Sequence, residues 1–326
     1  MSQEFRNIFK KRFETSVRYD KENAAVWCYF DPIDRPRYTV KMLREGLEFQ
    51  KSIVEYFEKS NMSPKHPIRY LVFASQAKDI YNYGGDLDHF ANLIENKDRE
   101  SLLEYAQLCI ENVYMTSVNL NLPITTISLV EGSALGGGFE SVLSTSVVIA
   151  EEKATMGFPE IRFNLFPGMG AYSFLARMHG IQIAEELITS GKIYTASELH
   201  EKGIVHELVK DGTGVEKTKQ FMKKHSRYFN GMQAIQKVQQ RHKPLSYEEM
   251  MDITKIWVDT ALKLSDHDLK IMKRLVSAQN AKNINNYKVR THYDRRIDLG
   301  GTSFPLQDTE NNVIKIDRRK SDKRRT

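Results

Sequence analysis

Apolar runs of buried type alternate with amphipathic stretches over most of the chain, the pattern of short strands packed beneath helices. Ala24–Phe30 (AAVWCYF) is rich in β-formers and stops before the turn signal Asp31-Pro32, so it predicts a strand. Thr39 to Lys59 places Leu43, Leu47, Val54 and Phe57 on one helical stripe, and the prolines between Asn61 and Pro67 break it. Tyr70–Ser75 (YLVFAS) and Ile124–Val130 (ITTISLV) predict further strands, the first apolar enough for burial on both faces. Helical segments follow the Tyr83-Gly84-Gly85-Asp86 loop as far as about Asn119. Ser146–Ala150 reads as a short strand and Thr155–Gly170 as a loop punctuated by glycine and proline, with helical pieces after it to about Ser190. Ala196–Lys202 predicts a helix closed by Gly203, before a strand over Ile204–Val209. From Val215 to Lys282 the pattern is helical throughout.

Strands alternating with helices, then a helical end, predict an α/β core over 21–210 and a C-terminal helical subdomain over 211–282. Residues 1–20 are charged and unpatterned and predict a flexible arm; 283–326 predicts an extension with a basic, disordered tail.

Composition narrows the function classes. The chain has 326 residues, 40% hydrophobic and 28% charged, enough for a sizeable core. No apolar run approaches the roughly 18 residues of a membrane span. The N-terminus has basic residues but no apolar segment behind them, so no secretory signal is expected. Cys28 and Cys109 both lie in apolar stretches and read as buried thiols of a cytoplasmic protein. The net charge of +6 is concentrated in the tail, where Asn311–Thr326 carries seven basic and two acidic residues. The remainder is close to neutral, a poor footprint for nucleic-acid binding.

Three segments hold candidate chemistry. Gly136-Gly137-Gly138-Phe139-Glu140 follows a buried-type strand and opens a helix. Glycines there let backbone close on a ligand, and unpaired N–H groups at a helix start can hold negative charge. Phe158-Pro159-Glu160 lies 20 residues on, in the loop that returns through Phe166-Pro167-Gly168-Met169-Gly170. The two glutamates share a site if helix, strand and return loop fill the interval. Tyr83-Gly84-Gly85-Asp86 supplies a further glycine amide and an N-cap aspartate. Taken singly, the glycine run is equally a packing turn, Glu160 a solvated glutamate and Tyr83–Asp86 a plain helix start. Gly132-Ser133-Ala134-Leu135-Gly136 is not a nucleophile elbow, since its serine is one place early. None of the nine histidines has metal-ligand spacing, and no phosphate or dinucleotide motif is present, so neither metal nor cofactor is expected.

Together these segments resemble the crotonase (enoyl-CoA hydratase/isomerase) superfamily over roughly Ala24 to Lys282. Within it the chain is similar to the bacterial synthases of diffusible signal factor. That likeness rests on Trp27–Phe30 with Arg35–Thr39, on Asn82-Tyr83-Gly84-Gly85-Asp86-Leu87, and on Met251–Leu262. The resemblance does not reach beyond Lys282. It implies a crotonase-like ββα spiral core and dehydration of a 3-hydroxyacyl thioester on acyl carrier protein, followed by hydrolysis to a cis-2-unsaturated acid. It implies Glu140 and Glu160 as the acid/base pair, without fixing which takes which role. Gly85 and Gly137 would be the oxyanion-hole donors, and Leu135, Met169 and Trp257 the acyl pocket, with core packing the alternative for those three. Homo-oligomerisation and association with the receiver domain of a sensor kinase are implied too. A hydratase or isomerase that leaves the thioester intact, and a sensor-binding regulator, are the alternative readings.

Overall fold

A computed structural model describes residues 2–60, 67–287, 306–307 and 313–314. The chain divides into two units, Met1–Lys288 and Val289–Thr326. The first begins with α1 (Gln3–Ile8), β1 (Thr15–Asp20), β2 (Ala25–Phe30) and α2 (Val40–Lys59). It continues through β3 (Tyr70–Ser75), β4 (Ile80–Asn82), α3 (Leu87–Glu95) and α4 (Arg99–Ser117). Next come β5 (Thr125–Val130), β6 (Ser133–Leu135), α5 (Gly137–Leu143), β7 (Val147–Glu151), β8 (Thr155–Gly157), α6 (Ala171–His179) and α7 (Ile181–Ser190). The remainder is β9 (Ile193–Thr195), α8 (Ala196–Glu201), β10 (Glu207–Val209), α9 (Gly214–His225), α10 (Phe229–His242), α11 (Tyr247–Ala261) and α12 (Asp266–Tyr287). In the second unit β11 (Leu306–Gln307) pairs antiparallel with β12 (Val313–Ile314).

The strands form two sheets. The larger has the order β1-β2-β3-β5-β7-β10, parallel except at the β1–β2 edge. The smaller has the order β4-β6-β8-β9. Successive strands alternate between them: β3 then β4, β5 then β6, β7 then β8, each pair followed by helix. This is the α/β arrangement, with the repeated ββα turns that the family resemblance implies.

Alternation along the strands explains why both faces of the larger sheet are covered. Trp27, Tyr70, Val72, Ile127, Leu129 and Ile149 share one buried cluster with Met222 of α9. Val26, Cys28, Leu71 and Phe73, the intervening positions, belong to the cluster that also takes in residues of α2, α4 and the smaller sheet. The helices expected over 211–282 are present and wrap this core rather than standing apart: α9 packs on β5 and β7, α11 on α4, and α12 on α3.

Three expectations need correction. Residues 1–20 are not a loose arm: β1 extends the sheet along β2, and α1 buries Phe5 and Ile8. The buried Glu45 carboxylate fastens the segment, accepting from the Phe13 and Glu14 amides at 3.0 Å and from Thr15 Oγ1 at 3.2 Å. The loop expected over Thr155–Gly170 contains β8 and a 3-10 turn at Glu160–Phe163. The last core strand is only Glu207–Val209, because the chain bends after Gly203 (φ +74°), which follows the end of α8. The predicted break at Asn61–Pro67 falls mostly, and the basic tail after Ile314 entirely, outside the described residues.

Candidate active site

Pairing of β6 with β8 brings the two glutamate-bearing segments together. Leu135 is opposite Gly157, and the Gly136 amide donates to the Gly157 carbonyl at 2.9 Å. Gly136 has φ +54°, a conformation other residues adopt only with strain, and a Cβ there would collide with Glu160 Oε1. Phe139 stacks on Phe158 at 4.9 Å between ring centroids, locking the residue before Glu140 to the step before Glu160.

Glu140 lies in the first turn of α5 and is 2% exposed. Its Oε1 accepts from the Met169 amide at 2.7 Å and the Ala171 amide at 3.0 Å. The Phe166–Gly170 turn thus holds this carboxylate. Burial pushes Glu140 up to about 7, against those two hydrogen bonds, which pull it down. Glu160 opens the 3-10 turn, and its Oε2 is buried with no hydrogen-bond partner. Burial and then the charge of Glu140 push it up to about 8.

The glycine amides come from opposite sides. Tyr83–Asp86 is fastened to Pro36–Tyr38 by Tyr83 N to Pro36 O at 2.7 Å and Tyr38 N to Gly84 O at 2.8 Å, with Tyr38 and Gly85 in bridge register. Arg37 Nε pairs with Asp86 at 2.9 Å, and the Asp86 side chain caps α3. The Tyr105 hydroxyl accepts from the Asp86 amide at 3.3 Å and donates to the Tyr38 carbonyl. The Tyr38 hydroxyl in turn donates to Ser141 Oγ at 2.6 Å, tying this turn to α5 beside Glu140. Gly137 is the first residue of α5, and a Cβ on it would stand only 3.5 Å from Gly85 N. Neither the Gly85 nor the Gly137 amide donates to any described group.

Gly85, Gly137, Glu140, Glu160, Met169 and Trp257 all line one cavity of about 110 Å³. Leu135 does not. It alternates with the fully buried Ala134 on β6 and so faces away from the core. Trp257 serves both readings left open for it: it is buried, meets Phe90 edge-to-face at 5.3 Å, covers Gly168 and lines the cavity. Trp257→Ala is expected to lower stability by about 3–5 kcal/mol in denaturant unfolding. Sequence reasoning missed Tyr38, Tyr105 and Ser141, which position the turns. Tyr38 lay within the Arg35–Thr39 stretch already singled out; the other two are inconspicuous in helical segments. Among the described residues no helix is long and apolar enough to cross a membrane, and no group of three or more His, Cys, Asp or Glu could hold a metal ion.

The family model described as enoyl-CoA hydratase/isomerase matches residues 46–283. Among solved structures, an enoyl-CoA hydratase from Bacillus halodurans superposes with a TM-score of 0.65 at 20% identity, over 81% of this chain and 100% of its own. A putative enoyl-CoA hydratase from Streptomyces avermitilis gives 0.64 at 17% identity, over 82% and 91%. DspI from Pseudomonas aeruginosa gives 0.60 at 19% identity, over 84% and 98%.

Proposed function

The chain belongs to the enoyl-CoA hydratase/isomerase family, and from that premise we propose that it dehydrates a 3-hydroxyacyl thioester on acyl carrier protein to the cis-2-enoyl thioester, then hydrolyses it to the free acid. The observation that carries this reading is that two buried carboxyl groups, both raised by burial, and two unpaired glycine amides line one cavity.

With the thioester oxygen between the Gly85 and Gly137 amides, charge that develops on it as the α-proton leaves is held by both donors. The ionised carboxylate takes that proton. The C2–H electrons become the C2–C3 double bond, and the C3–O bond breaks as the protonated carboxyl delivers its proton to the departing hydroxyl. Hydrolysis reuses the same parts: a carboxylate removes a proton from water, the oxygen adds to the carbonyl, and the intermediate breaks its C–S bond as that carboxyl returns the proton to the departing sulfur. The likeness to signal-factor synthases at Trp27–Phe30, Asn82–Leu87 and Met251–Leu262 supports the second step, and the product would then be a fatty-acid signal.

Incubation with 3-hydroxyacyl-acyl carrier protein is expected to release free thiol and free 2-unsaturated acid together. Accumulation of an intact enoyl thioester with no free thiol would instead assign a plain dehydratase. The pH profile follows from the pair. Below about 7 both groups are protonated and no base is present; above about 8 both are ionised and no acid is present. The kcat/KM profile is therefore expected to be a narrow bell between those limits, reporting the pair rather than either residue. A profile still flat at pH 5 would contradict it.

A further inference from the structure

The cavity does not stop at the catalytic turns. Its lining includes Met42, Gly46 and Gln50 on α2 and Tyr105, Cys109 and Thr116 on α4. Met42, Gly46 and Gln50 are four residues apart and form one stripe about 12 Å long at 1.5 Å per residue. Tyr105 to Thr116 covers about 16 Å on α4 in the same way. The direction is set by Tyr105, whose hydroxyl accepts from the amide of Asp86, next to Gly85. Thr116 therefore marks the end of the stripe remote from the reacting groups.

That end is crossed by a polar bridge. Gln50 Nε2 donates to Asn112 Oδ1 at 3.2 Å and to the Asn112 carbonyl at 3.3 Å. Thr116 Oγ1 reaches Gln50 Oε1 at 3.4 Å and the Asn112 carbonyl at 2.9 Å. Asn112 Nδ2 donates to the Leu43 and Leu108 carbonyls at 3.0 and 2.8 Å. Gly46 leaves the room for this amide, since a Cβ there would stand 2.7 Å from Asn112 Oδ1. Glycine inside a helix is otherwise unfavourable.

We propose that the Gln50–Asn112–Thr116 bridge is the chain-length stop of an acyl groove along the α2–α4 seam, so that the substrate is a straight aliphatic acyl thioester whose terminal methyl ends against it. This deepens the thioester reading and rests on it. The bridge's donors are spent on partners within the protein, so it offers little to a polar chain end. Pushing it aside would leave buried polar groups unpaired, which is unfavourable. Cys109, midway along α4, lines the groove between the reacting groups and the stop.

The test compares the wild-type chain with Asn112→Ala, which opens the stop, and Cys109→Met, which fills the groove. Each is given a homologous series of straight-chain 3-hydroxyacyl thioesters for turnover and the matching free fatty acids for calorimetric affinity. Asn112→Ala is expected to raise the long-to-short ratio of kcat/KM at least about tenfold, and Cys109→Met to lower it by as much. Free-acid affinities are expected to shift the same way. Shifted affinities without turnover of any thioester would keep the stop and remove the reaction. An unchanged length preference in both readouts would overturn the stop, and Cys109→Met alone decides this if Asn112→Ala does not fold.

Discussion

Glu160→Gln is expected to lower kcat by about 10²–10⁴-fold while the protein stays folded. The amide keeps the shape of the side chain but cannot exchange a proton. Glu140→Gln is expected to fall similarly, with its carbonyl oxygen still able to accept from the Met169 and Ala171 amides. The stability consequence has a definite sign. The Glu160 carboxyl binds its proton more tightly when folded, up to about 8, than in the unfolded chain. The unfolded state therefore binds fewer protons between the ordinary carboxylate range and that value, and stability falls as pH rises through it. Removing the ionisable group removes that loss, so Glu160→Gln should melt higher than the parent at alkaline pH. Kinetics and thermal unfolding on the same preparations check both halves. Normal turnover in both variants would end the two-carboxylate mechanism.

Gly137→Ala is expected to cost about 10²–10³ in kcat with little change in melting temperature. The added methyl would stand 3.4 Å from Gly84 Cα and 3.5 Å from Gly85 N, distances the fold tolerates. Yet it would lie beside the amide proposed to receive the thioester oxygen. Gly136→Ala is the informative contrast. There the methyl meets Glu160 and the backbone needs φ +54°, so stability should fall together with activity. A Gly137→Ala enzyme with full kcat would mean that the oxyanion is held elsewhere.

The longer elements were legible because their signals are local. Tyr70–Ser75 is a strand over the bounds its apolar run predicts, and Thr39 caps α2, its side chain accepting from the Met42 amide. The smaller sheet was not legible. β4, β6, β8 and β9 have three residues each, too few for a period to register. They matter out of proportion to their length, since β6 and β8 set Gly136 against Gly157 and so Glu140 near Glu160. The N-terminal segment was misread because β1 is an edge strand whose burial follows no clean alternation. Its anchor, Glu45, lies on α2 beyond any local pattern.

At the site, the glycine run could be found because backbone geometry demands that residue type, as at Gly136 with φ +54°, and the glutamates because they stand beside such turns in the sequence. Leu135 was misplaced by one step of strand alternation, which sequence adjacency to a glycine turn does not reveal. The groove along α2 and α4 was invisible for a different reason. Gly46, Gln50 and Asn112 meet only through tertiary packing, and the sole hint was glycine and glutamine on an otherwise apolar helical stripe.

The convergence of two carboxyl groups and two main-chain amides on one carbonyl is tested most directly by a crystal structure of the Glu140→Gln/Glu160→Gln variant holding an uncleaved 3-hydroxyacyl thioester. The carbonyl oxygen should lie about 2.7–3.1 Å from both Gly85 N and Gly137 N, with C2 and the 3-hydroxyl beside the two substituted side chains. A thioester bound with its oxygen turned from either amide, or seated outside this cavity, would contradict the account.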